Sequence, residues 1–133
     1  MQVESLSIGG TRKWCKTVLE WSLAADENQL PLTDRGGCDR CLGAITIIGD
    51  QVIRNPAYYI IAQASKFVPT GSVRIDSNND GGVINVAYST PDNKTVVILQ
   101  NKQEAAVKIQ LKKNEKYLEV NLSPKEIATL VWP

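Results

Sequence analysis

Residues 17–28, TVLEWSLAADEN, set one tryptophan inside an apolar run that empties into an acidic, polar loop. Trp21 offers a flat apolar face and an indole N–H, which together can stack on a ligand and orient it without reacting. Ser22, Asp26 and Asn28 add a hydroxyl, a carboxylate and an amide at short spacing. Each has an ordinary alternative, since Trp is often a plain core aromatic and Asp and Asn favour solvated loops. Val18, Leu19, Leu23, Ala24 and Ala25 make a nearly continuous apolar segment, which suits a strand buried on both faces of a parallel sheet. Such strands build α/β barrels, whose active-site face is formed by strand carboxyl ends and the loops after them. On that reading, residues 21–28 lie where a substrate binds.

Other chemistry is thinly represented. The chain has no histidine, so the commonest general base and metal ligand is missing. Cys38 and Cys41 form a Cys-x-x-Cys in a Gly-flanked loop. A zinc site needs about four ligands and no second pair exists. A thioredoxin-like centre wants the pair at a helix start, yet LGAITII after Cys41 reads as a strand. A disulfide stapling the loop and two reduced thiols both remain, and the compartment decides between them. Cys15, beside Trp14, is expected as a buried free thiol. No metal and no cofactor is called for.

The elements that would position these groups follow in order. Residues 3–15 read as a helix with Leu6 and Trp14 on one face and Arg12, Lys13 and Lys16 outside, weakened at Gly9 and Gly10 by about 1 kcal/mol each. Residues 18–24 are the buried strand, and 25–43 a long loop of the kind that is usually functional or disordered. Residues 44–48 and 51–54 form a hairpin about Gly49-Asp50. Asn55-Pro56 starts a helix that ends before Pro69 and Gly71, with Tyr58 and Tyr59 in its first turn as packing residues. From Gly71 the apolar period becomes two. Residues 72–76, 83–88, 95–99, 106–111, 117–122 and 127–132 are six strands separated by turn signals such as Asn79-Asp-Gly-Gly82, the pattern of an antiparallel sandwich.

Trp14, the run 19–28, residues 36–46 (GGCDRCLGAIT) and residues 58–74 (YYIIAQASKFVPTGSVR) occur in one order. Together they resemble the C-terminal part of a glycoside hydrolase family 30, glucosylceramidase-like enzyme, over about residues 6–132. The resemblance implies a retaining β-glycosidase built from a (β/α)8 barrel and an attached β-sandwich. The expected fold is therefore mainly β: residues 1–70 as the last strand and helices of the barrel, and 71–133 as the antiparallel sandwich. It implies a β-linked sugar as substrate, with Trp21, Ser22, Asp26 and Asn28 bordering it. The family usually carries Asn where this chain has Ser22. A retaining enzyme needs two carboxylates about 5–5.5 Å apart, which the family supplies from its fourth and seventh barrel strands. Glu4 stands only 17 residues before Trp21, short of the roughly 30 residues of a βα unit, so it is a poor nucleophile. The chain is expected to lack the pair and to be inactive alone. The alternative is a non-catalytic carbohydrate-binding sandwich, which requires Tyr88 and Tyr117 on one exposed face.

Composition sets the remaining bounds. With 133 residues and 43% hydrophobic residues the chain can build a core. Fifteen basic against fourteen acidic residues, evenly divided between its halves, argue against a nucleic-acid partner. No apolar run reaches the roughly 18 residues of a membrane span. The start does not read as a signal peptide, and export of a parent enzyme is implied by the resemblance. Apolar faces left over from a barrel would favour self-association into a homo-oligomer.

Overall fold

The computed structural model describes residues 3–31 and 41–133, with side chains from residue 7 onward. Its centre is a four-stranded antiparallel sheet in the order β4 (Val73–Ile75), β5 (Val83–Ser89), β6 (Thr95–Asn101) and β9 (Ile127–Trp132). One face carries Val86, Tyr88, Val96 and Ile98, and packs against Ile8 of an N-terminal π-wound helix (Val3–Gly10) and Ile60, Ala64 and Phe67 of α1 (Pro56–Ser65). The opposite face carries Val83, Ala87, Val97 and Leu99, and packs against β7 (Val107–Lys113) and β8 (Lys116–Leu122), a separate two-stranded sheet. The molecule thus has three layers: helices, sheet and hairpin.

The burial patterns follow from this layering. β6 is buried at six of its seven positions because both faces are covered, and its centre, residues 96–99 (VVIL), is correspondingly continuously apolar. β7 alternates strictly between half-buried and exposed, since one of its faces is wet. A tight turn leads into β5. Asp80 and Val83 pair across Gly81-Gly82, whose φ of +55° and +84° suit the two-residue turn that joins twisted strands. All six strands expected after Gly71 are present. They divide four and two between the sheets.

The first half is less regular. β1 (Ala24–Asp26) pairs in parallel with β2 (Ile45–Ile48), which pairs antiparallel with β3 (Gln51–Arg54) about Gly49-Asp50. The hairpin and the Pro56 helix start agree with the sequence reading. The strand expected over 18–24 does not form there. Leu19 is 91% exposed and Val18 and Leu23 are also exposed. A strand inside a sheet has strand neighbours on both edges and layers over both faces, and among the described residues β1 pairs with one strand, β2.

Three further expectations change around the N-terminal helix. It runs on to Arg12, and Trp14, at φ +70°, is 78% exposed rather than packed. Cys15 is a free, exposed thiol rather than a buried one, because the chain after Trp14 leaves the helix for the surface. Arg12 was expected in solvent; its guanidinium instead donates to Ser77 Oγ at 3.0 Å, Asn85 O at 3.0 Å and Ser77 O at 2.8 Å, locking the helix to the sheet. The Leu6 and Glu4 side chains lie outside the described residues. Tyr58 and Tyr59 pack on each other edge to face at 5.5 Å, with Arg54 over the Tyr58 ring, and stay partly exposed instead of entering the core.

Candidate functional site

A cavity of about 900 Å³ lies between residues 14–23, α1 and the β4–β5 edge. Its walls are mostly apolar, formed by Leu19, Leu23, Ile61, Ala64, Val68 and Val73, with Arg74, Glu20 and the Tyr88 phenol as polar groups. Arg74 stands opposite Tyr88 in the β4–β5 register, and its guanidinium lies 4.5 Å from the centre of the Trp14 ring. Sequence reading missed this stack, since nothing local links residues sixty positions apart. The Glu20 Oε1 and Arg74 Nε atoms are both buried without a hydrogen-bond partner among the described residues.

Burial raises the Tyr88 pKa above its ordinary 10.0, and a hydrogen bond with Thr11 and the Arg74 charge pull it partly back. Because the folded value is the higher, this group contributes stability that is fully present below pH 10 and is lost as pH rises through the folded pKa. The urea midpoint is therefore expected to fall as pH rises above 10, and to fall less in Tyr88→Phe. Equal slopes in the two proteins would show that Tyr88 does not control this limb.

The residues singled out from the sequence are placed as follows. The Trp21 ring is 54% exposed and lies outside the cavity wall, whereas Ser22 lines it. The Trp21–Ser22 peptide bond is cis. Ser22 Oγ donates to Ala24 O at 3.3 Å, and Ser22 O accepts from Ala44 N at 2.8 Å. Asp26 ends β1. Its Oδ1 accepts the backbone N–H groups of Asn28 at 2.8 Å and Leu30 at 2.9 Å, so that oxygen shapes the loop. Asn28 is exposed in that loop. The structure thus joins Asp26 to Asn28 directly, and joins Ser22 to the start of β2 rather than to either. Cys41 is disulfide-bonded, and Cys38 lies outside the described residues. Among the described residues, no group of three His, Cys, Asp or Glu could hold a metal ion.

Tyr88 is 8% exposed and faces the helices, whereas Tyr117 is 54% exposed at β8 in the other sheet. They form no common platform, which removes the basis for a stand-alone carbohydrate-binding surface on the strands. No helix among the described residues is long and apolar enough to cross a membrane.

A helix-backed antiparallel sandwich following a short parallel β pair is the class of fold that the described residues define. Residues 71–130 match the Glycosyl hydrolase family 30 beta sandwich domain. The chain is 29% identical to an endo-1,6-beta-D-glucanase of Aspergillus fumigatus over 99% of this chain and 28% of that protein. It is 33% identical to an endo-1,6-beta-D-glucanase of Trichoderma harzianum over 75% of this chain and 22% of that protein. The solved structure of the endo-beta1,6-glucanase BT3312 superposes with a TM-score of 0.86 at 31% identity, over 98% of this chain and 30% of that one. The chain thus spans less than a third of the length of these relatives.

Proposed function

We propose that residues 1–70 are the closing βα unit of a (β/α)8 barrel, that 71–133 are its attached sandwich, and that both belong to a retaining β-glycosidase acting on β-1,6-linked glucan. The observation that carries this is the likeness along 98–99% of the chain to endo-1,6-glucanases three to four times longer. In such an enzyme two carboxylates about 5–5.5 Å apart act as nucleophile and acid/base. This chain contributes Trp21 as a stacking surface for a pyranose ring, bordered by Ser22, Asp26 and Asn28, and contributes neither carboxylate. The sandwich backs the barrel and takes no part in bond cleavage.

The 133-residue chain is expected to leave a β-1,6-glucan and aryl β-glucosides intact, measured as released reducing sugar or aryl alcohol. Hydrolysis that disappears in Glu4→Gln would sink this reading. In the longer enzyme, Trp21→Ala is expected to raise KM roughly tenfold to a hundredfold, the scale of a lost aromatic anchor of about 2 kcal/mol. An unchanged KM would remove Trp21 from the sugar site.

Two lesser proposals go with it. The exposed Trp14, Leu19 and Leu23 are the barrel-facing surface, and they drive self-association when uncovered. A light-scattering mass of one chain over a wide concentration range would count against that. The parent enzyme is exported, and Cys38 is the partner that staples the loop to the disulfide-bonded Cys41. Peptide mapping without reduction tests the pairing.

A further inference from the structure

The start of α1 carries an anomaly. Asn55 holds the N-cap position, where an Asn side chain ordinarily accepts a hydrogen bond from an N–H of the first helical turn, and it makes none. Its Nδ2 donates instead to Gly43 O at 2.7 Å and to Thr46 Oγ1 at 2.9 Å, and its backbone N–H donates to Ala44 O at 3.0 Å. The helix has given up a side-chain cap so that one amide can grip the chain twelve residues upstream.

What is gripped there is the support of the Trp21 segment. Ala44 N–H donates to Ser22 O at 2.8 Å, and Ile45 N–H donates to Leu23 O at 3.0 Å. Gly43 runs so close beneath β1 that a Cβ on it would stand 2.7 Å from Ala25 N and 2.8 Å from Ala24 C. Glycine is required at this approach, and its freedom leaves the position to be held by something else. The Asn55 amide supplies that hold.

We propose that Asn55 is a positioning residue for Trp21. It fixes the backbone of Gly43 and Ala44, and through the bond from Ala44 to Ser22 it sets the direction of the indole. The meaning of that direction for saccharide binding rests on the function proposed above; the coupling itself does not. The chemistry requires a donor at Asn55, because Gly43 O can only accept. A carboxylate of the same shape caps helices as well as an amide does, yet it would face the Gly43 carbonyl with a second acceptor.

The test uses the 133-residue chain labelled with 5-fluorotryptophan. Its 19F NMR signals from Trp14, Trp21 and Trp132 are assigned by single Trp→Phe replacements. In Asn55→Asp the Trp21 signal is expected to shift and broaden while Trp132, at the end of β9, keeps its position. Were Asn55 merely a helix cap, Asn55→Asp would leave all three signals in place, and that result overturns the proposal. If the Trp132 signal is lost, the variant has misfolded, and Asn55→Ser decides. Serine is an equally good cap whose short hydroxyl cannot span both acceptors, so a displaced Trp21 signal supports the coupling and an unmoved one rejects it. Titration of the unsubstituted chain with a β-1,6-linked gluco-oligosaccharide reads the other question separately: a Trp21 signal indifferent to sugar counts against the sugar platform and leaves the coupling to Asn55 untouched.

Discussion

Ile98→Ala is expected to destabilise the protein by about 4 kcal/mol, the upper part of the range for emptying a fully enclosed aliphatic site. Ile98 is 0% exposed and stands at the middle of β6, opposite Val86 on β5 and Thr129 on β9. It belongs to the cluster of Ile8, Val86, Tyr88 and Val96 that meets Ile60, Ala64 and Phe67 of α1. The void would be walled on one side by hydrogen-bonded strands and on the other by two helices, so it could not collapse cheaply. For a chain of this length the melting temperature should fall by roughly 14 °C. Ile98→Val, which keeps most of the volume, should cost about 1 kcal/mol. Comparable losses in the two variants would show that the site relaxes freely and that the helices are not firmly seated on the sheet.

Asn101→Ala should cost about 3 kcal/mol through unmet hydrogen bonds rather than lost volume. Asn101 ends β6 and is 0% exposed. Its Nδ2 donates to Ala105 O at 2.8 Å and Ser123 O at 2.9 Å, its Oδ1 accepts from Gln103 N at 2.9 Å, and its backbone N–H donates to Glu126 O at 2.9 Å. One carboxamide therefore ties the turn leading into β7 to the segment between β8 and β9, and so holds the hairpin layer to the sheet. Asn101→Asp should be at least as damaging, because it keeps the bond from Gln103 but turns an acceptor toward two carbonyl oxygens. Urea unfolding with an unchanged m value separates this loss of stability from a change of fold. If Asn101→Asp proved as stable as the unsubstituted chain, the two carbonyls are already satisfied by solvent.

Both predictions act on the side of the molecule where the sequence was easiest to read. The six strands after Gly71, the β2–β3 hairpin about Gly49-Asp50 and the helix beginning at Pro56 were all visible as short-range signals: an apolar period of two, a turn dipeptide, a proline at a first helical position. These signals concern residues within a few positions of one another, so local chemistry suffices to set them. The family likeness was legible for a similar reason, since it lies in the order of four blocks along the chain.

Other features had no local signature. The apolar run 18–24 promised a buried strand, but apolarity states only that a segment seeks cover; whether Leu19 finds it depends on what the fold packs against it, and among the described residues it stays 91% exposed. Arg12 read as a solvent-facing charge until the fold carried Ser77 and Asn85 to it across more than sixty positions. Asn55 was recognised in its cap position, and only the return of the chain past Gly43 diverted its amide. By itself the sequence determined which segments from residue 44 onward become strands and helix and where they turn, because those choices are made by backbone preference and side-chain period over a few residues. The tertiary structure alone decided which faces are covered, how six strands divide into four and two, and which polar groups meet, because those outcomes depend on surfaces that become neighbours only when the chain has folded.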